Sequence, residues 1–138
     1  MRSAKPILLV EDDEVDAMII QRAMDEIKVT NPLHIAGDGE QALAHLRDPR
    51  QVKPCLILLD LNMPRMDGIE FLRAAKGDEV MRRIPVVVLT SSQEDQDRLD
   101  GFSLGIAGYM AKPVDYEQFV DVIKTIDLYW TLSELPPD

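Results

Sequence analysis

The sequence predicts an α/β fold built on a doubly wound, five-stranded parallel sheet, and two observations predict it. Short apolar runs alternate five times with segments of helical spacing along the 138 residues, and this alternation implies parallel strands joined by right-handed crossovers. Two of the runs, Ile7–Val10 and Val86–Leu89, are apolar without alternation. Continuous apolar runs are typical of strands that helices cover on both faces.

The elements follow in order from these patterns. The predicted strands are Ile7–Val10, Leu33–Ala36, Leu56–Leu59, Pro85–Leu89 and Ala107–Met110. The predicted helices, where apolar side chains recur at helical spacing, are Asp13–Lys28, Asp38–Leu46, Gly68–Lys76, Glu94–Leu104 and Asp115–Leu132. Asp67 and Asp115 are predicted N-caps, and the Gly37-Asp38-Gly39 segment is predicted to be the turn that starts the second helix. One domain is predicted for residues 1–138, with 133–138 as a C-terminal tail.

Composition narrows the class of protein. The formal net charge of −10 disfavours DNA and anionic membranes as partners, because binding to both depends on Lys and Arg. No segment has the apolar length needed to span a bilayer. The single cysteine, Cys55, cannot form an internal disulfide. We therefore expect a reduced, cytoplasmic protein with neither a nucleic acid nor a membrane as partner.

Polar residues follow four of the predicted strands at the point where each strand ends. Glu11, Asp12 and Asp13 follow the first strand, and Asp60 follows the third. The residues that follow the fourth and fifth strands are Thr90, Ser91 and Lys112. In an open parallel sheet, ligands bind beyond the carboxyl ends of the strands. The sequence thus predicts one site with several carboxylates, two hydroxyls and one lysine.

These residue types point to phosphoryl chemistry. Clustered carboxylates repel one another unless a cation or protons compensate them, and oxygen ligands suit a hard cation, Mg²⁺ first. An Asp carboxylate can form an aspartyl phosphate, while a lysine and a threonine can bind phosphoryl oxygens. Asp13 is interpreted separately, as a residue of the first helical turn.

Five motifs in this order and spacing resemble the receiver domain of two-component response regulators. They are Ile7-Leu8-Leu9-Val10-Glu11-Asp12-Asp13, Leu59-Asp60-Leu61-Asn62-Met63-Pro64, Met66-Asp67-Gly68, Leu89-Thr90-Ser91 and Tyr109-Met110-Ala111-Lys112-Pro113. The resemblance implies a flavodoxin-like (βα)5 fold with strand order 2-1-3-4-5. It also implies a phosphoprotein of a phosphorelay that switches a protein–protein interaction surface.

The resemblance also implies a role for each motif residue. Asp60 would accept the phosphoryl group, Thr90 and Lys112 would sense it, and Tyr109 would be the aromatic switch residue. The implied Mg²⁺ ligands are Glu11 through water, Asp12 and Asp60 directly, and Asn62 through its backbone carbonyl. Such a domain is not an enzyme in its own right, because it catalyses only its own phosphoryl transfer and dephosphorylation.

Within the family, the chain is most similar to stand-alone regulators of phytochrome-type histidine kinases. The features are the Asp48-Pro49 region and the aromatic ending Tyr129–Pro136. The expected partner is a sensor histidine kinase or a phosphotransfer protein. The resemblance places docking near Val15, Ile19 and Arg22 on the first helix. That helix has two apolar stripes, one of Ile20, Met24 and Ile27 and the other of Val15, Met18 and Ile19. One of them must face the sheet, and the sequence alone leaves open whether the second is also buried or docks a partner.

Several readings stay open. The aromatic C-terminus either covers the domain's own core or buries against a second subunit, and we favour a homodimer.

The alternative function is a phosphohydrolase that forms an aspartyl phosphate, but such enzymes usually carry an Asp where this chain has Asn62. Since the chain ends at Asp138, we expect no DNA-binding domain. His34 and His45 are interpreted as structural residues.

Overall fold

The computed structural model describes residues 5–26, 28–61, 68–90, 106, 108–111, 117, 121 and 124. Its strands are β1 (Ile7–Val10), β2 (Leu33–Ala36), β3 (Leu56–Asp60), β4 (Val86–Thr90) and β5 (Gly108–Ala111). Its helices are α1 (Glu14–Glu26), α2 (Gly39–Arg47), α3 (Gly68–Lys76) and a short 3₁₀ helix at Met81–Arg83. Positions 117, 121 and 124 are helical, which agrees with the predicted fifth helix at those three positions.

The strands of the described residues form one sheet in the order β2-β1-β3-β4-β5, and every neighbouring pair is parallel. The predicted α/β class and strand order are therefore confirmed. The last three strands end one residue later than predicted. Asp60 pairs with Leu89, and Thr90 pairs with Ala111, because ladder hydrogen bonds come from the backbone and do not require an apolar side chain.

The sheet is covered on both faces. Leu8 and its neighbours on one face pack with residues of α2 and α3, while Leu9 and its neighbours on the other face pack with α1. Leu8 is 1% exposed and Leu9 is 0% exposed, so consecutive residues of β1 are buried on opposite faces. This double burial is the reason for the unbroken apolar run in the sequence.

Aspartates cap the first two helices. The Asp13 carboxylate accepts hydrogen bonds from the Val15 amide at 2.8 Å and the Asp16 amide at 3.2 Å, so Asp13 precedes α1 as a cap. Asp38 precedes α2 and accepts from the Gln41 amide at 2.9 Å. These three bonds satisfy amide donors that a helix leaves unpaired in its first turn. The predicted turn at the start of the second helix is confirmed.

Some predictions fall outside the described residues. They include the helix at Glu94–Leu104, the N-caps Asp67 and Asp115, and the tail 133–138. The 3₁₀ helix was not predicted. Asp78 gives a local signal for it, since the Asp78 carboxylate accepts a hydrogen bond from the Met81 amide at 3.0 Å. Among the helices of the described residues, none has the length and apolar character to cross a bilayer.

Candidate functional site

The central pair of strands brings three carboxylates together. Strands β1 and β3 are neighbours, and Val10 lies opposite Leu59 in their register. The residues that follow this pair are Glu11 and Asp12 on one strand and Asp60 on the other, and their ligand oxygens all lie within 4.8 Å of one another. The predicted convergence of these three residues is therefore present.

Backbone hydrogen bonds hold both strand ends in place. The Glu11 amide donates to the Ala36 carbonyl at 2.9 Å, and the Leu61 amide donates to the Leu89 carbonyl at 3.3 Å. The Glu11 carboxylate also accepts from the Asp13 amide at 3.1 Å. The backbones that carry the acidic residues are thus continuous with the sheet, which fixes the positions of their Cα atoms.

The three carboxylates differ in exposure. Glu11 is 2% exposed and Asp60 is 1% exposed, whereas Asp12 is exposed to solvent. A reactant or an ion can therefore approach the two buried acidic residues from the side of Asp12. Carboxylates at this spacing repel one another in a partly buried setting unless a positive charge compensates them.

The donor set fits a divalent cation. Hard cations such as Mg²⁺ take oxygen ligands, and carboxylates are the usual protein contribution to their sites. All three converging side chains supply carboxylate oxygens. Neither histidine belongs to this cluster, so it does not resemble a site for zinc, which prefers nitrogen and sulfur ligands.

The other predicted site residues are placed only in part. Thr90 is the last residue of β4, and its backbone partner Ala111 is the last residue of β5. Tyr109 pairs with Val88 along the backbone. Lys112 and Asn62 themselves lie outside the described residues.

The close approach of Gly68 to the end of β3 was not predicted. A Cβ atom at position 68 would lie 2.6 Å from Leu61 Cα and 2.9 Å from the carbonyl oxygen of Asp60. The Gly68 amide donates to the Leu61 carbonyl at 3.0 Å. The start of α3 therefore rests directly on the backbone of Asp60, and only glycine leaves room for this contact.

Helix α1 has one buried apolar stripe and two exposed apolar side chains near its start. Ile20 and Met24 are both 0% exposed and pack under the sheet, whereas Val15 is 64% exposed and Met18 is 62% exposed. The stripe that contains Ile20 and Met24 is thus the core-facing one, a choice between the two stripes that the sequence left open. Ile27, the third residue of that stripe, lies outside the described residues.

Comparison with known proteins agrees with this geometry. The family model of the response regulator receiver domain matches residues 7–124. The bacteriophytochrome response regulator RtBRR superposes with a TM-score of 0.82 at 40% identity, covering 96% of this chain and 84% of that chain. The phosphorylated cyanobacterial phytochrome response regulator RcpA gives a TM-score of 0.79 at 36% identity, covering 96% and 98%.

A further relative carries a metal. Response regulator Rcp1 of Synechocystis sp. is 35% identical over 130 residues, which is 91% of this chain and 88% of that protein. The Mn(2+)-bound form of Rcp1 has a TM-score of 0.79, with 34% identity and coverage of 96% and 99%.

Proposed function

Because the chain belongs to the response regulator receiver domain family, we propose that Asp60 is its phosphoacceptor and that Mg²⁺ is its metal. Receiver domains work in two-component signalling, and the family membership rests on 7–124, most of the chain. The observation that carries the residue assignment is the convergence of Glu11, Asp12 and Asp60 within 4.8 Å. Of these, Asp60 ends the central strand β3.

The chemistry assigned to Asp60 is a single displacement at phosphorus. A carboxylate oxygen of Asp60 attacks the phosphoryl group of a phosphohistidine, the P–N bond breaks as the P–O bond forms, and the histidine nitrogen takes up a proton. Water later attacks the aspartyl phosphate, which releases inorganic phosphate and restores the carboxylate. Mg²⁺, when bound, supplies positive charge that stabilises the transferred oxygens.

Glu11 and Asp12 are proposed to hold the metal together with Asp60 and the carbonyl of Asn62. Burial of Glu11 at 2% exposure and its backbone bond to Ala36 support a fixed carboxylate on one side of the ion. The exposed position of Asp12 leaves that side open for exchange of ions and water.

Thr90, Lys112 and Tyr109 are proposed to detect the phosphoryl group. The backbone pairing of Thr90 with Ala111, the residue before Lys112 in the sequence, supports a joint role for Thr90 and Lys112. Phosphorylation adds charge and acceptor oxygens, which Lys112 and Thr90 can follow. Movement of Thr90 then gives Tyr109 space to turn inward, which biases a two-state surface.

The proposed partner is a sensor histidine kinase of the phytochrome type, or a phosphotransfer protein. The similarity to RtBRR and RcpA supports the kinase class. Val15 and Met18, more than half exposed near the start of that helix, support docking on α1. A homodimer through the C-terminal aromatic segment is also proposed, and that segment lies outside the described residues.

The remaining proposals concern setting and chemistry. We place the domain in the cytoplasm. We also propose that it has no nucleic acid as partner, because its net charge of −10 opposes binding to a polyanion. Its turnover is limited to its own phosphorylation and dephosphorylation. A stoichiometric adduct separates this role from that of a phosphohydrolase, which would turn over a phosphate ester continuously.

The test is incubation with acetyl phosphate and Mg²⁺, followed by intact-mass measurement. We expect one phosphoryl group per chain in the wild type, no adduct in Asp60→Asn, and a normal adduct in Asp25→Asn, which changes an exposed carboxylate on α1. An adduct that persists in Asp60→Asn would assign the phosphoacceptor elsewhere.

A second arm tests the docking surface with a phytochrome-type kinase as the phosphoryl donor. Met18→Glu should slow transfer from the kinase and leave labelling by acetyl phosphate unchanged. Val80→Glu is the matched control, because Val80 is 53% exposed and lies away from α1. Equal kinase transfer rates in the two variants would remove α1 from the interface.

A further inference from the structure

The two histidines of the chain contact each other. His34 lies on strand β2 and His45 lies on helix α2, and their ring centroids are 5.2 Å apart at an interplanar angle of 75°. They are the only histidines in the sequence. The contact joins the edge strand of the sheet to the helix that covers it, on the face where Leu8 lies opposite His34 in the sheet register.

Each ring has one buried nitrogen. Nδ1 of His34 and Nε2 of His45 are buried and find no hydrogen-bond partner among the described residues. In a neutral imidazole one nitrogen carries no proton, so these atoms can remain bare at moderate cost. Protonation of His45 would place an N–H donor at the buried Nε2 position without an acceptor, which costs far more.

The charges around His45 also oppose protonation. Burial lowers the pKa of His45 most, and His34 and then Lys53 lower that pKa further, while Asp48 acts in the opposite sense. The Asp48 carboxylate is itself bound by Arg50, with Nε to Oδ1 at 3.1 Å and Nη2 to Oδ2 at 3.1 Å.

Lys53 is fixed near this contact. Its ammonium donates to the carbonyl of Leu46 in the last turn of α2, where a positive charge is favoured by the helix dipole. The same ammonium makes the histidine contact a poor site for a metal cation. Among the described residues, the titratable groups that act on His45 are thus His34, Asp48 and Lys53, and Asp48 is compensated by Arg50.

We propose that the His34–His45 contact is a proton-sensitive joint, which holds α2 against β2 when both rings are neutral and loosens this side of the domain in mild acid. The direction of the pH effect follows from the difference between the pKa of His45 in the folded and in the unfolded state. Because the folded-state pKa of His45 lies below its unfolded value, the stability from the neutral ring is complete above about pH 6.5 and is lost as the pH falls from there through the folded-state pKa.

The joint is connected to the acidic cluster through β2. Ala36, two residues after His34, accepts the hydrogen bond of the Glu11 amide at 2.9 Å. Loosening of the β2 edge would therefore weaken one support of Glu11. The joint itself depends on the histidine contact and does not require that Asp60 is the phosphoacceptor.

The first test is an NMR titration of the two imidazole Cε1–H signals from pH 8 to pH 5. We expect the pKa of His45 to lie below the ordinary value of about 6.5 and to shift upward in His34→Phe, because that variant removes a neighbour that lowers the pKa of His45. Lys53→Gln should also shift the His45 midpoint upward. A His45 midpoint at or above 6.5, or one that His34→Phe leaves unchanged, would overturn the proposal.

The second test compares urea unfolding at pH 7.5 and pH 5.5 in the wild type and in His45→Phe, which keeps a ring but cannot be protonated. A histidine that stays neutral in the fold raises the unfolding equilibrium constant by at most about tenfold at pH 5.5. We expect a several-fold larger acid loss in the wild type than in His45→Phe, since both share every other titrating group. Equal losses in the two proteins would refute the joint. If His45→Phe does not fold, hydrogen exchange of the wild type replaces this test. We then expect the amides of α2 to lose more protection in acid than those of α3, and equal losses in the two helices would refute the proposal.

Discussion

Replacement of Gly68 by alanine tests how closely α3 is packed against the end of strand β3. The new Cβ would lie 2.6 Å from Leu61 Cα, 2.7 Å from Leu61 Cδ2 and 2.9 Å from the Asp60 carbonyl oxygen. Real Cβ atoms do not approach other heavy atoms so closely, and two of these three atoms belong to backbone that cannot rotate away. Either the start of α3 or the end of β3 must move.

The expected cost follows from these contacts. Overpacking of a buried site typically costs about 1–3 kcal/mol, and backbone neighbours place this substitution near the upper end. The better helix propensity of alanine returns up to about 1 kcal/mol. We therefore expect a net loss of about 2–3 kcal/mol in the free energy of unfolding, which lowers Tm by roughly 10 °C in a domain of this size.

The assay is urea and thermal unfolding, with Gly77→Ala as the matched control. A Cβ at position 77 would lie 3.4 Å from the Arg73 carbonyl oxygen and 3.6 Å from that of Ala74, which are ordinary contacts, so this variant should stay within about 0.5 kcal/mol of the wild type. Labelling with acetyl phosphate at a temperature where both variants are folded should be at least about tenfold slower in Gly68→Ala, because small displacements of a reacting group are costly. Wild-type stability and labelling in Gly68→Ala would refute the reasoning.

Two further predictions concern the metal and the second helix. Asp12→Asn should weaken Mg²⁺ binding by at least about tenfold, since even changes next to metal ligands have effects of that order. Titration calorimetry measures the Mg²⁺ affinity of both this variant and the control Glu14→Gln. An equal loss of affinity in the control would show that the effect comes from the net charge of the domain and not from a ligand role of Asp12. Asp38→Ala should cost about 1 kcal/mol of unfolding free energy through the lost bond to the Gln41 amide. An unchanged urea midpoint in Asp38→Ala would show that the cap does not stabilise α2.

The sequence predicted the sheet well because its signals are local. Ile7–Val10 and Leu33–Ala36 were located without error. For Ile7–Val10 the reason is burial on both faces, which needs an unbroken apolar run. Asp60 at the end of β3 could be assigned to the site because parallel strands end at one edge. The three-carboxylate cluster then followed from the order of β1 and β3, which the family resemblance supplied.

What the sequence missed depends on contacts between distant segments. Nothing in the spacing of His34 and His45 indicates that their rings meet, because the contact requires the packing of α2 on β2. The role of Gly68 was hidden in the same way, since a glycine at a helix start has many explanations until Leu61 is seen beneath it. The 3₁₀ helix at Met81–Arg83 is too short for a periodic signal.

The backbone anchors of the acidic cluster have a consequence for how a signal can spread. The Glu11 and Leu61 amides are each tied to a neighbouring strand, through Ala36 and Leu89. Under the proposed function, a covalent change at Asp60 would therefore act on a strand end whose backbone is held by its neighbours. The expected consequence is that the sheet keeps its hydrogen bonds through repeated modification, and that the response arises outside it.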